Sequence, residues 1–340
     1  MPAVEYLSDL RKASGDDILA SLLGTATGPF DRSDWWERLR RYCDLQPLYL
    51  YVREGEAAAL LPLLQDGDGT LTTLANWYTF RWRPLVTPGA DPLPLFEAAA
   101  RDLATRAWRL SLPCLPEEDQ TASTLTTAFR RAGWITRCVS HDSNHVLHVG
   151  GRRYRAYLAG LPGRLRNTLK RKAGRVQCAI HDRYSDDIWA VYQAVYADSW
   201  KPEEGSPDFL QAFARTEGAA GRLRLGLATI DGQPVAAQFW TVESGTAWIH
   251  KLAHRESARA HSPGSVLSAA LFERVIETDG VELIDFGTGD DPYKQDWMED
   301  VRPRYRLEAL RPGSPRTWPY LARRLAGSVR AYLAPRRRPR

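Results

Sequence analysis

Two stretches in the second half of the chain decide the fold: HKLAHRESARAHSPGSVL at residues 250–267 and LIDFGTGDDPYKQDW at residues 283–297. In the first, an apolar run ends among Lys and His residues, and Ser-Pro-Gly at 262–264 is typical of a helix N-terminus. In the second, a short apolar strand leads into a loop that contains glycine and aspartate. A helix N-terminus offers unpaired backbone N–H groups, so the pattern predicts an anion site beside a buried strand.

The sequence around these stretches predicts alternating strands and helices. Three apolar strands in succession, over 222–230, 234–242 and 246–254, precede the helix at Ser262-Pro263-Gly264. Gly280 ends this helix before a strand over 281–287. The other predicted elements of this half are helices over 153–174, 186–199, 207–217 and 292–299, and strands over 176–184 and 304–310.

The first half contains a shortened version of the same order. After a short helical start, we expect Ser33 to cap a helix and residues 47–65 to form a hairpin about a turn at 53–56. Further elements are strands over 70–78, 110–115 and 134–149, and helices over 92–108 and 120–132. The repeated order predicts two related α/β domains with mixed sheets, side by side.

Length and charge divide the chain further. Its 340 residues are too many for one ordinary core, so we expect domains over 1–150 and 151–312. Residues 302–340 hold twelve arginines against the single acid Glu308, and we expect a basic amphipathic helix and tail over 313–340. The apolar stripe of that helix contains Trp318, Leu321, Leu325, Val329 and Tyr332. It either packs on the body of the protein or contacts an anionic membrane surface or a partner.

Several classes of protein are not indicated. No apolar run approaches the ~20 residues that cross a bilayer, and the opening MPAVEYLSDLRK lacks a leader pattern, so we expect a cytoplasmic protein, with the inner face of the membrane as the surface the tail would contact. The four cysteines form no C-x-x-C pair, which predicts neither a disulfide framework nor a thiolate metal site. We also expect no metal at His141, His145 and His148, because that segment reads as turn plus strand.

The two stretches together resemble the acetyltransferase family typified by the cellulose-biosynthesis protein CelD, within the GNAT superfamily and related to the FemAB peptidyltransferases. Its members typically carry Lys-Leu-Ala, a Ser-Pro-Gly helix entrance, Asp-Phe, a Gly-Asp pair and Tyr-Lys with a nearby Trp. The matching residues here are Lys251-Leu252-Ala253, Ser262-Pro263-Gly264, Asp285-Phe286, Gly289-Asp290, Tyr293-Lys294 and Trp297.

This resemblance implies an α/β fold of two tandem GNAT-like domains, the second with an acyl-CoA cleft. The implied co-substrate is acetyl-CoA or another acyl-CoA, and the implied acceptor is an amine or hydroxyl of a sugar or polysaccharide precursor. In such domains the CoA pyrophosphate binds a loop of the form Q/R-x-x-G-x-G/A before a helix. Residues 259–264 are a degenerate form of it: Ser262 stands at the first Gly, and Pro263 removes one N–H donor.

Candidate cofactor-binding residues are therefore Arg259, His261, Ser262, Gly264 and Ser265, with Lys251 directed at a CoA phosphate or at an acidic residue. The alternative for Ser-Pro-Gly is an ordinary helix start, with Ser262 as cap. The basic run over 164–172 offers either an anion-binding helix or a solvated face.

Acyl transfer needs a group that takes the proton of the nucleophile and an acid for the departing thiolate. Asp285, at the end of a buried strand, either accepts that proton or caps the following turn. Tyr293 either protonates the thiolate or serves only to pack against neighbouring side chains. His250 is a second base candidate, and regular alternation would turn it to the face opposite Lys251.

Asp290, Lys294 and Trp297 are candidate acceptor-binding residues, and a salt bridge is the alternative for Lys294. Two other functions remain open. One is a FemAB-type peptidyltransferase that uses aminoacyl-tRNA, the one case in which we expect a nucleic acid as partner. The other is a non-catalytic scaffold of a polysaccharide-synthesis complex, favoured by the degenerate loop.

Overall fold

The computed structural model describes residues 2–13 and 15–323. One mixed sheet runs through the whole of this part of the chain. Its strands are β1 (Ala3–Leu7), β2 (Pro47–Glu54), β3 (Ala57–Gln65), β4 (Thr70–Thr73), β5 (Leu85–Val86), β6 (Arg109–Leu115), β7 (Ile135–His148), β8 (Gln177–His181), β9 (Leu223–Ile230), β10 (Gln233–Glu243), β11 (Thr246–His254), β12 (Leu283–Thr288) and β13 (Asp300–Leu310).

Helices cover both faces of this sheet. They are α1 (Asp17–Leu23), α2 (Ser33–Cys43), α3 (Pro92–Arg106), α4 (Thr121–Arg131), α5 (Tyr154–Gly160), α6 (Gly163–Lys172), α7 (Asp186–Ala197), α8 (Pro207–Ala219) and α9 (Pro263–Glu273). Short 3-10 segments include Glu256–His261 before α9 and Pro292–Asp296 after β12. Within the described ranges, no helix has the length and apolar character of a membrane span.

The strand order shows an internal repeat with exchanged end strands. The sheet runs β1-β2-β3-β4-β6-β13-β7-β12-β11-β10-β9-β8, and β5 pairs with β3. Each half has one parallel pair, β4 with β6 and β11 with β12. However, β7 pairs with β12 of the second half, and β13 inserts between β6 and β7. Strand β7 of the first half therefore pairs into the second half of the sheet, and strand β13 of the second half pairs into the first. These two strands join the halves.

A shared apolar core strengthens this junction. Trp35 of α2 packs edge-on against Phe209 and Phe213 of α8, with ring centroids 4.9 and 5.0 Å apart. Beside it, the guanidinium of Arg32 donates to the fully buried Glu217 over 2.5 Å. The first half thus packs helix to helix against the second, and both contribute to the site described below.

The structure corrects several predicted elements. The expected short helical start is present as α1, but a strand over residues 3–7 precedes it, because these residues pair with β2 along the sheet edge. Arg32, not Ser33, is the N-cap of α2. The helix expected over 153–174 is split into α5 and α6, since Leu161 precedes Pro162 and is held in an extended conformation. The strand expected over 70–78 ends at Thr73, and the helix expected over 292–299 is the shorter 3-10 segment.

Candidate active site

The candidate site is a cavity of about 220 Å³ where β11 and β12 separate. The two strands pair in parallel only from Thr246 to Trp248 and from Leu283 to Asp285. Beyond these residues the cavity lies between them, lined by 249–252 of β11 and 286–288 of β12. Side chains from the first half, including Trp77, Tyr78 and Phe80, form another wall. Both halves of the molecule therefore build the site.

A β-bulge in β11 sets which side chains face this cavity. Phe239 of β10 is opposite Lys251 and Trp240 is opposite Ile249, so His250 is the extra residue. The expectation that His250 and Lys251 face opposite sides is wrong, because the bulge interrupts the alternation. His250 packs against Phe239, with ring centroids 5.1 Å apart, and both His250 and Lys251 line the cavity.

The imidazole of His250 is held in an apolar environment. Its Nε2 lies 2.8 Å from Thr241 Oγ1, and Phe30, Phe80 and Phe213 surround the ring. Burial lowers the pKa of His250 to about 3, with the positive charges of Lys251 and Arg32 as smaller causes. His250 is therefore neutral at physiological pH and a weak proton acceptor.

Lys251 has an acidic partner and aromatic neighbours. Its Nζ donates to Glu204 Oε1 over 3.0 Å and lies 4.3 and 4.6 Å from the ring centroids of Trp77 and Tyr78. Burial lowers the pKa of Lys251, while Glu204 opposes that change. Of the two partners expected for Lys251, the structure shows the carboxylate.

Asp285 lies outside the cavity lining, with a side chain 2% exposed. Its Oδ1 accepts from the Gly287 N–H over 2.8 Å, and its Oδ2 accepts from Asn144 Nδ2 over 2.9 Å. Burial raises the pKa of Asp285, while Arg304 and these hydrogen bonds oppose the change. The geometry matches the turn-capping alternative and ties β12 to β7.

We expect Asp285→Asn to lower the free energy of unfolding by about 1–3 kcal/mol, because the new NH2 group would face one of two existing donors. Urea unfolding monitored by circular dichroism measures the change. Thr288→Val, at the end of the same strand, is the comparison variant. If Asp285→Asn had wild-type stability and lost turnover, Asp285 would act in catalysis instead.

Tyr293 and Asp291, in the loop over 288–294, present polar groups to the cavity. Tyr293 packs edge-on against Phe286, with ring centroids 5.7 Å apart, and no described residue accepts from its hydroxyl. Burial and the nearby Asp291 raise the pKa of Tyr293 above its usual range, so the phenol stays protonated at neutral pH. Asp291 is exposed and lines the cavity, and no described side chain pairs with its carboxylate.

The other acceptor candidates have structural partners. The carboxylate of Asp290 lies 2.9 Å from Nε2 of the buried His145. Lys294 lines the cavity, but its buried Nζ donates to the carbonyl groups of Thr288 and Gly289 over 2.5 and 3.0 Å. Trp297 stacks on Phe272 in the core of the second half and does not line the cavity.

The proposed phosphate loop has a glycine-like backbone. Ser262 has φ of +51°, the left-handed conformation that glycine adopts most readily, and its side chain makes no cap hydrogen bond. The alternative in which the Ser262 side chain caps α9 is therefore not observed. Because the first N–H groups of a helix have no intrahelical acceptor, those of Gly264 and Ser265 are available to an anion.

The neighbours of this loop differ in exposure. Arg259 is 78% exposed, with Glu256 3.8 Å away. His261 is partly buried, and its Nδ1 has no hydrogen-bond partner in the described part of the chain. The Gly264 carbonyl accepts from Nε2 of the buried Gln238 over 2.9 Å, which fixes the start of α9 against β10.

The remaining basic and histidine candidates are placed as follows. Helix α6 carries the basic run, in which Arg164 pairs with Asp296. His141 and His148 lie 2.8 Å from guanidinium groups of Arg306 and Arg302. No three His, Cys, Asp or Glu side chains of the described residues are grouped as a metal would require.

The predicted tail stripe falls partly outside the described residues. Trp318 is 62% exposed, and Leu325, Val329 and Tyr332 are not described. Contact of the tail with a membrane or partner stays a prediction.

Sequence reasoning missed the wall that the first half and the α7–α8 loop contribute. Trp77, Tyr78 and Tyr196 line the cavity, and Glu204 pairs with Lys251. These residues are far from the two stretches in sequence. The sequence offered no separate signal for Trp77 and Tyr78, because both fall within residues 70–78, which were predicted as one strand.

Comparisons with known proteins bear on the fold and on the domain that carries this site. Residues 149–295 match the model of the acetyltransferase (GNAT) domain. A comparison with curated proteins gave no match. The whole fold is similar to that of FemX (8% identity, 89% of this chain and 96% of that chain, TM-score 0.60).

It is also similar to L-PGS from Bacillus licheniformis (14% identity, 94% and 97% coverage, TM-score 0.58). A third similar structure is a tandem GNAT protein from the clavulanic acid biosynthesis pathway (14% identity, 92% and 100% coverage, TM-score 0.53). The expected fold is confirmed: the chain has an α/β fold of two tandem GNAT-like halves, and residues 149–295 form a GNAT-type acyltransferase domain.

Proposed function

We propose that the protein transfers an acyl group directly from acyl-CoA to an amine or hydroxyl group of a sugar or polysaccharide precursor. The observation that carries this proposal is the separation of β11 and β12 next to Tyr293. A thioester in this gap would lie between a phenol that can donate a proton and a carboxylate that can accept one.

The proposed binding site for the acyl donor, acyl-CoA, is at the start of α9. The anionic pyrophosphate of CoA would bind the N–H groups of Gly264 and Ser265 at the positive end of the helix dipole. From there, residues 249–254 of β11 run toward the cavity and have no pairing with β12. An unpaired strand edge offers N–H and C=O groups to the amide-containing arm of CoA.

The chemistry would be a direct displacement. The acceptor nitrogen or oxygen attacks the thioester carbonyl, its bond to carbon forms, and the C–S bond breaks. The acceptor proton goes to Asp291, directly or through water, and Tyr293 protonates the thiolate. A direct attack of this kind needs no acyl-enzyme, and neither Cys nor Ser is among the residues that line the cavity.

The acceptor class comes from the resemblance to the CelD-like family. Trp77, 56% exposed at the cavity wall, offers an aromatic surface on which a sugar ring can stack. The basic stretches of the chain would then face a polysaccharide-synthesis complex or an anionic membrane surface.

Gly264→Asp tests the donor site. We expect the Kd for acetyl-CoA to rise about tenfold or more, or about 1.4 kcal/mol, because the carboxylate would repel the pyrophosphate. A Cβ at this position would lie 3.5 Å from His254 Nδ1, an ordinary contact, so the fold should be preserved. Titration calorimetry measures the affinity.

The matched control is Gly264→Asn, which adds the same volume without the charge. We expect it to retain most of the affinity. Equal affinities for wild type, Gly264→Asp and Gly264→Asn would remove CoA from the start of α9.

A second candidate is transfer from aminoacyl-tRNA, favoured by the likeness in fold to FemX. It is distinguished by ligand-induced stabilisation, since a ligand at 100 times its Kd stabilises by about 2.7 kcal/mol. An increase in Tm with acetyl-CoA supports the first function, and an increase with total tRNA supports the second. Stabilisation by neither would support a non-catalytic scaffold.

A further inference from the structure

A groove of about 620 Å³ lies between helices α5, α6 and α9 and the edge strand β8, apart from the candidate active site. Much of its lining is apolar and includes Tyr154, Leu158, Leu169, Val266 and Ala269. No residue of this groove also lines the cavity between β11 and β12. The volume lies in the range typical of small-molecule sites, so the groove can hold an apolar ligand of its own.

Three basic side chains on the lining of this groove have no acidic partner. Arg155, Arg166 and Lys170 are exposed, and none of them forms an ion pair with a carboxylate of the described residues. By contrast, Arg164 of the same helix pairs with Asp296. The described lining contains one acidic residue, Glu273, so it carries three positive charges and one negative charge. The groove therefore favours an anionic ligand.

The chain around α5 and α6 extends this positive charge. Residues 152–175 contain nine Lys or Arg residues and neither Asp nor Glu. Three of the nine, Arg152, Arg153 and Arg164, pair with carboxylates from other parts of the chain. The other six have no acidic partner in the described ranges. A basic cluster of this size attracts anions over a distance of about 8 Å at physiological ionic strength.

The combination of apolar lining and unpaired cations distinguishes between classes of anion. Inorganic phosphate or a nucleic acid would pair with the cations but would leave the apolar lining in contact with water. An acidic phospholipid uses both features, because its acyl chain covers apolar surface and its headgroup pairs with Lys or Arg. An apolar contact and a basic patch together are what stable attachment to a membrane requires.

We propose that the groove between α5, α6 and α9 binds an acidic phospholipid of a membrane surface. An acyl chain would lie against Leu158, Val266 and Ala269, and the lipid phosphate would accept from Arg166 and Lys170. This surface is separate from the basic tail over 313–340. The binding does not depend on the proposed acyl transfer and can be tested without acyl-CoA.

Vesicle binding by the full chain tests the lipid class. The probes are vesicles of phosphatidylglycerol mixed with phosphatidylcholine, and vesicles of phosphatidylcholine alone. Co-sedimentation measures the bound fraction at each lipid concentration. We expect binding to the vesicles that contain phosphatidylglycerol to be at least tenfold tighter. Equal binding to both kinds of vesicle, or binding to neither, would overturn the proposal.

Cys178 reports contact at the groove itself, because it lines the groove and is exposed. Its rate of reaction with a maleimide is measured by mass spectrometry of the labelled peptides, with the partly buried Cys43 as internal reference. We expect phosphatidylglycerol vesicles to slow the reaction of Cys178 severalfold and inorganic phosphate to leave it unchanged. Vesicle binding with an unchanged rate at Cys178 would assign the contact to another surface, such as the tail, and overturn the proposal. Protection by total tRNA but not by vesicles would make the groove a nucleic-acid surface and would overturn it equally.

A pair of double variants separates the groove from overall charge. Arg166→Gln with Lys170→Gln removes two exposed cations of the lining that have no described acidic partner, so the fold should be preserved. We expect this variant to bind phosphatidylglycerol vesicles about tenfold more weakly or less and to lose the protection of Cys178. The control, Arg130→Gln with Arg131→Gln, removes the same charge from the exposed end of α4 and should bind as the wild type does. Equal affinities of the two double variants would contradict the assignment to the groove.

Discussion

Tyr293→Phe is expected to lower kcat by about 100-fold or more and to leave the Kd for acetyl-CoA unchanged, the size of effect typical for removal of a positioned acid. The phenol lines the cavity where β11 and β12 separate, and it donates to no described group, so its proton is available to a departing thiolate. Its packing against Phe286 would be retained by phenylalanine. Release of free thiol from acetyl-CoA, in the presence and absence of glucosamine as a sugar amine of the proposed acceptor class, measures kcat.

The pH dependence gives this prediction a second readout. Because burial raises the pKa of Tyr293 above its usual range, the acid stays protonated through neutral and mildly alkaline pH. We therefore expect no decrease in wild-type kcat between pH 7 and 9 from loss of this proton. Tyr154→Phe is the control, since that buried tyrosine lies outside the cavity. Equal activity of Tyr293→Phe and Tyr154→Phe would assign Tyr293 to packing.

The sequence predicted the second half of the fold well because its signals are local. Turn residues at 231–232 and 244–245 separate three strands that the structure contains, and Pro263 begins α9 as expected. The exchange of β7 and β13 between the halves has no such local signal. Pairing of strands so far apart in sequence depends on tertiary packing, which periodicity does not encode.

The candidate site also contains some residues that the sequence indicated and others that it did not. The Tyr-Lys pair of the family resemblance pointed to Tyr293, which lines the cavity, and its role as an acid stays a prediction. The alternation rule failed at His250, because a bulge adds one residue without a change in the hydrophobic pattern. Glu204 and Tyr196 were missed because the loop and helix that carry them reach the site only through packing of α7 and α8. For Asp285, sequence reasoning allowed a base or a cap, and only the hydrogen bonds to Gly287 and Asn144 distinguish these.

Asp291 and Asp290 form a matched pair that tests where the proton of the acceptor goes. Asp290 lies beside the buried His145, whereas Asp291 lines the cavity and has no described side-chain partner. We expect Asp291→Asn to lower kcat by about 100-fold, as for loss of a general base, with little change in acetyl-CoA affinity. Asparagine keeps the size of the side chain and its hydrogen bonding, so the loop over 288–294 should hold its shape.

The comparison with Asp290→Asn separates catalysis from loop structure. Asp290→Asn weakens a contact to His145, so we expect a lower Tm and only a small change in kcat. A general base acts only on the chemical step, so Asp291→Asn should change kcat with Tm retained. If both variants lost Tm and kcat in parallel, the two carboxylates would serve only to fold the loop, and proton removal would belong to water or to the weakly basic His250.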